Sequence, residues 1–126
     1  MGPRNKSKWI AITSPGVLKN VALHVDNGRD LDKKVSSVTF KVGKTMEDAT
    51  AVAKQVDVES RFAGWINCFL DANPEHSVVK IELKGPDNTL RVRQVSERTS
   101  LYKLDGSSLL LLILSEEVPY DSNLLN

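Results

Sequence analysis

The stretch VKIELKGPDNTLRVRQV, Val79 to Val95, decides the fold class. Val79, Ile81 and Leu83 alternate with Lys80, Glu82 and Lys84, and Val92 stands between Arg91 and Arg93. Successive side chains of a strand point to opposite faces, so each half reads as a strand with one dry and one wet face. Gly85-Pro86-Asp87-Asn88 separates the halves, and Pro86 presets the φ angle that a turn's second position needs. A β-hairpin with a short polar loop is expected. Strands buried on both faces, as in parallel sheets, would read as continuous apolar runs, so the alternation favours antiparallel pairing.

The same pattern recurs outward from this stretch. Val21, Leu23 and Val25 share a face, with His24 on the other. Val38, Phe40 and Val42 oppose Thr39 and Lys41. Asp26-Asn27-Gly28, Gly43-Lys44 and Asp71-Ala72-Asn73-Pro74 supply turn chemistry between the segments. Trp65 to Leu70 is mostly apolar and reads as a well-buried strand. Met46, Ala49, Val52, Ala53 and Val56 have helical spacing behind Thr45 as an N-cap. One or two helical turns are therefore expected over Met46 to Lys54, followed by a strand at Val56-Asp57-Val58. Several short strands with frequent turns suggest an all-β sandwich or barrel.

Composition narrows the function classes. The 126 residues suit one domain, with 40% hydrophobic and 26% charged residues, enough for one modest core. Lys and Arg total 17 against 16 Asp and Glu. Nucleic-acid binders carry a basic excess, and this chain has none, so neither nucleic acid nor an acidic membrane is an expected partner. Arg4, Lys6 and Lys8 make the start basic, while Glu116, Glu117 and Asp121 make the end acidic; both read as solvated tails. Cys68 stands alone and permits no intrachain disulfide. The longest apolar run, Leu109 to Leu114, falls far short of the roughly 20 residues that span a bilayer. No signal-peptide pattern opens the sequence. An intracellular location, cytoplasmic or nuclear, is the expectation.

The search for catalytic chemistry returns little. His24 and His76 lie far apart, so no metal site is expected. Asp26, Asp30 and Asp32 loosely suggest a calcium loop, but the glycine and distal glutamate are misplaced. No phosphate-binding glycine loop or serine elbow is present. Cys68 lies in an apolar strand, a setting for a buried small hydrophobe rather than a reactive thiol. Arg91 and Arg93, beside the Gly85 to Thr89 loop, fit either a solvated outer face or a recognition surface. Composition and spacing do not choose between them.

The segments read together carry a resemblance. Lys19-Asn20-Val21-Ala22-Leu23-His24-Val25-Asp26, Lys34 through Gly43, Gly64-Trp65-Ile66 and the ending Arg91-Val92-Arg93-Gln94-Val95 resemble, in order and spacing, the DOC domain. That is the fold of the substrate-recognition subunit of the anaphase-promoting complex. The spelling KIELKGPDNTLRVRQV is most similar to the DOC domain of the Pam/Highwire family of giant RING-type ubiquitin ligases. The resemblance spans Trp9 to Val95. It implies a jelly-roll β-sandwich of galactose-binding-like type and a role in binding proteins during ubiquitin transfer. In the anaphase-promoting-complex subunit a loop before the Arg-Gln strand helps hold a degron. The matching positions here are Asn88, Thr89, Leu90 and Arg91, in a loop of different sequence, and Arg93 and Gln94 match the family's Arg-Gln pair.

Two departures stand out. The family has an earlier strand and a Trp-containing motif before the position of Trp9. After Val95 its last strand is replaced here by Ser96-Glu97-Arg98-Thr99 and a Leu-rich stretch. The expected organisation is a basic tail over 1–8, an incomplete DOC-like sandwich over 9–95 and a divergent tail over 96–126. A missing strand leaves an open edge, onto which Leu109 to Leu114 could pair as a substitute. The expected function is a non-catalytic substrate-recognition module of an E3 ubiquitin ligase, without cofactor. Its partner would be a protein or degron peptide, with the rest of the ligase beside it. Candidate contact residues are Asp26, Asn27, Arg29, Asn88, Thr89, Arg91 and Arg93. A carbohydrate- or lipid-headgroup-binding jelly roll is the alternative, weakened because Trp9 and Trp65 fall in strands and aromatics make up only 6%. No spacing of titratable groups supports an enzyme.

Overall fold

The computed structural model describes residues 7–13, 17–32, 34–85, 91–96 and 100–116. Nine strands run through these residues: β1 Ser7–Thr13, β2 Val17–Asp26, β3 Ser37–Gly43, β4 Ala51–Asp57, β5 Ala63–Phe69, β6 Val78–Lys84, β7 Arg91–Gln94, β8 Leu101–Asp105 and β9 Leu110–Glu116. A single 3₁₀ turn, Pro74–His76, is the helical element among them. The strands form a four-stranded sheet ordered β1-β6-β3-β4 and a five-stranded sheet ordered β5-β2-β9-β8-β7. Every pairing is antiparallel. The fold is an all-β antiparallel sandwich.

Alternation supplies the core. Ile10, Phe40, Val42, Ile81 and Leu83 of the first sheet are buried with Val21, Leu23, Ile66, Leu104 and Leu111 of the second in one apolar cluster. Stacked sheets interdigitate such inner faces. A bulge in β2 between Leu18 and Asn20 lets Leu18 and Val21, three positions apart, both be buried.

Three expectations are corrected. Residues 79–95 are not a hairpin: β6 lies between β1 and β3, whereas β7 belongs to the other sheet and pairs with β8. Alternation records which face is wet, not which strand is the neighbour. Gly85 begins the departure with φ +126, and a Cβ there would collide with the Lys34 carbonyl oxygen.

Met46 to Lys54 holds no helix. Met46 to Thr50 is a turn, in which Thr45 Oγ1 accepts from the Asp48 N–H at 3.1 Å, and β4 already begins at Ala51. A helix of that length is marginal in isolation, and pairing with β3 wins. A bulge places Lys54 opposite Phe40 and Val52 opposite Lys41, leaving Ala53 extra. That extra residue broke the period of two and imitated helical spacing.

Third, β5 is not well buried. It is an edge strand, with Ile66 and Cys68 buried while Phe69 is 71% exposed.

The Leu-rich run is β9, paired to β2 on one side and β8 on the other. Its run is apolar on both faces: Leu111 is buried in the core, while Leu114, on the outer face, is exposed. Position 96 falls between the paired strands β7 and β8, and β1 begins within the stretch read as a basic tail. Residues 1–6 and the acidic end from 117 onward lie outside the described residues.

Candidate functional site

Three connections and the start of β7 meet at one end of the sandwich. The β2–β3 loop touches the end of β6, where the Ser36 N–H donates to the Lys84 carbonyl at 2.7 Å. The β4–β5 loop joins through the Val58 N–H, which donates to the Ser36 carbonyl at 2.9 Å. The β8–β9 turn joins through Asp30, whose carboxylate oxygens accept from the Ser108 N–H at 2.9 and 3.0 Å. The start of β7 completes the group, with Arg91 directly opposite Asp105. Gly85 and Arg91, far from the β2–β3 loop in sequence, therefore lie at the same end as that loop.

The candidate residues have different fates there. Asn27 is 0% exposed. Its Nδ2 donates to the carbonyls of Val35 (3.0 Å) and Glu59 (2.8 Å), and its Oδ1 accepts from the Val35 N–H at 2.9 Å. Its own N–H donates to the Phe62 carbonyl at 2.9 Å. Asn27 is thus a structural bridge between loops, with its side chain buried rather than displayed. Buried polar groups must be paired, and a buried amide suits this because it donates and accepts at once.

Asp26 folds the loop back on itself, its Oδ1 accepting from the Arg29 N–H at 3.2 Å. This leaves Arg29 exposed. Arg93 is engaged: its Nε lies 3.3 Å from both oxygens of Asp105, and its Nη2 lies 3.3 Å from Oδ1. Arg91 is exposed and makes no ion pair among the described residues. Asn88 and Thr89 lie outside the described residues.

Sequence reasoning missed three participants. Leu31 is 67% exposed and, with Arg29, Asp30, Asp32 and Gly106, lines a depression of about 280 Å³. Asp105 neutralises one arginine of the pair. The Gly106-Ser107-Ser108 turn holds the β2–β3 loop in place. Its signal was available: Asp-Gly-Ser-Ser between two apolar stretches is hairpin chemistry.

Other chemistry is sparse. No cluster of three or more metal-ligating side chains occurs among the described residues. Cys68 is buried, and that burial raises its thiol pKa, opposed in part by the Lys54 charge. Trp9 and Trp65 are more displayed than their strand positions suggested, at 49% and 43% exposure. Each meets a neighbour: Lys41 Nζ lies 5.1 Å from the Trp9 ring centroid, and His24 packs edge-on to Trp65 at 5.0 Å. No helix of the described residues is long and apolar enough to cross a membrane.

No family model matches the sequence, and no solved structure matches it. Curated relatives do, two E3 ubiquitin-protein ligases among them. The chain is 49% identical over 94 residues to the E3 ubiquitin-protein ligase MYCBP2 of Danio rerio. It is 36% identical over 96 residues to the E3 ubiquitin-protein ligase highwire of Drosophila melanogaster. Each match covers 73% of this chain, and the chain spans about 2% of the length of either relative. Over that stretch the chain is homologous to one small segment of two E3 ubiquitin-protein ligases.

Proposed function

We propose that this chain is a non-catalytic protein-interaction module of an E3 ubiquitin ligase, a DOC-type sandwich that captures a protein partner through its loop-built end. The observation that carries the reading is the convergence there of separate loops, tied by Asn27 and by the Asp30–Ser108 contact. They leave Arg29, Leu31 and Arg91 exposed, and neither arginine makes an ion pair among the described residues. A rigid scaffold that presents loop residues suits recognition. Arginine pairs with carboxylates and carbonyls through several donors, and an apolar residue beside it supplies area. Asn88 and Thr89, next in sequence to this group, belong to the proposed contact set through the resemblance. The similarity to segments of two E3 ligases supports a role in ubiquitination. Partners inside the cell follow from the same reading.

The test replaces Arg29, Leu31 and Arg91 by Ala together and compares capture from cell extract with that of the unaltered chain. The expected result is a set of bound proteins that the variant loses, with thermal midpoints matching within about 2 °C. Ubiquitination of those proteins should fall when the variant replaces this segment in a full-length ligase. Equal capture would remove this end as the contact surface.

The exposure of Trp9 and Trp65 lends the carbohydrate-binding alternative more aromatic surface than the sequence suggested. Specific signal on a glycan array, lost on Trp9→Ala, would favour it over protein capture.

A further inference from the structure

A second surface lies on the outer face of the four-stranded sheet, away from the loop end. Lys41 of β3 and Lys80 of β6 are directly opposite one another, and Ala11 of β1 faces Lys80 from the other side. Like charges at directly opposed positions destabilise a sheet. Neither amine has a carboxylate within ion-pair distance among the described residues. Glu82, on the same face, is opposite Trp9 and Thr39 instead. Lys41 reaches across β6 to place its ammonium over the Trp9 ring. Together with Ala11, Met46, Ala49 and Thr50 these residues frame a depression of about 400 Å³. Beside it runs β1, which among the described strands pairs only with β6 and so keeps one edge open.

We propose that this depression docks an extended acidic peptide of a partner protein. A carboxylate lies between the Lys41 and Lys80 ammoniums, and an apolar side chain two positions along rests on Trp9 and Met46. Charge complementarity names the occupant. The whole chain carries only +1, so two uncompensated amines opposed across one strand pair are a local feature rather than general basicity. The open β1 edge suits an extended backbone, which can add to a sheet by main-chain hydrogen bonds. Side chains two apart in such a peptide fall on one face, matching the spacing of charge and apolar surface.

The test is an amide and indole NMR titration of the whole chain with a capped heptapeptide, Thr-Glu-Thr-Leu-Thr-Glu-Thr. Expected shifts centre on Trp9, Ala11, Lys41, Met46 and Lys80. Binding should weaken about tenfold in the Lys41→Gln/Lys80→Gln variant, and similarly for a peptide with Gln in place of Glu. Raising salt from ~0.05 to ~0.5 M should weaken it severalfold. Both lysines are on the surface, and separating their charges should leave the thermal midpoint unchanged or slightly higher. A lower midpoint in Lys80→Gln would make the lysines stability residues and overturn the proposal. So would shifts centred elsewhere, binding indifferent to the variant, or perturbation of these residues by heparin or anionic vesicles but not by the peptide. The loop-end substitutions should leave this titration unchanged, so the two surfaces stand or fall separately.

Discussion

Strands β6 and β7 are close neighbours in the chain and look alike as sequence, yet the fold treats them oppositely. In VVKIELK the apolar positions Val79, Ile81 and Leu83 are fully buried between β1 and β3. In RVRQ every residue is exposed, and the strand forms the outer edge of the other sheet. Alternation gives a strand the capacity to bury one face. Whether it does depends on having strands on both sides and a second sheet above. Among the described strands β7 pairs with β8 alone, which leaves Arg91 exposed while β6 serves the core.

The largest effects should separate these strands. Ile81→Ala should cost about 2–5 kcal/mol, as expected for removing a fully buried aliphatic side chain. Val92→Ala should cost well under about 1 kcal/mol. Chemical denaturation of both variants checks this, and equal losses would break the contrast. Leu111→Ala in β9 should behave like Ile81→Ala, because β9 is interior to its sheet and Leu111 is buried. A small loss there would mean that the Leu-rich strand is dispensable.

Next comes the loop end. Asn27→Ala strips partners from the Val35 N–H and from the Val35 and Glu59 carbonyls. Each buried polar group so orphaned costs about 1–3 kcal/mol. The variant should be less stable and should show faster amide exchange at Val35, while Arg29→Ala should leave both unchanged.

A smaller effect belongs to Cys68. Burial raises its thiol pKa, so the unfolded chain loses this proton at lower pH than the folded one. The associated stability is whole below the ordinary thiol range and drains as pH rises through the folded-state value. Between pH ~8 and ~10 the unaltered chain should therefore lose more stability than Cys68→Ala, and native chain should resist alkylation.

Smallest of all, Arg93→Ala should cost about 0–1 kcal/mol, diminishing with salt, because its pair with Asp105 is exposed. A larger loss would make β7 structural after all.

The legible part of this protein was local. Val21, Leu23, Val25, Val38, Phe40, Val42, Val79, Ile81 and Leu83 declared their faces by alternation, and all are buried. Turn chemistry at Asp26-Asn27-Gly28 marked the end of β2 correctly. Failures came where a local rule was interrupted. The bulge at Ala53 disguised a strand as a helix, and the crossing after Gly85 disguised two sheets as one hairpin. The candidate site was half legible: the β2–β3 loop and Arg91 could be named, but not that the fold brings them to one end.

The sequence by itself determined an all-β antiparallel chain, the faces of its main strands and the polar chemistry of its loops, because side-chain direction in a strand repeats every two residues and needs no distant information. Only the tertiary structure decided which strands are neighbours, that Asn27 is a buried bridge and that Asp105 claims Arg93 rather than Arg91. It also decided that Lys41 and Lys80 oppose each other. These outcomes depend on groups dozens of residues apart being brought within a few ångströms, and the free energy that selects among such pairings belongs to the whole chain rather than to any segment of it.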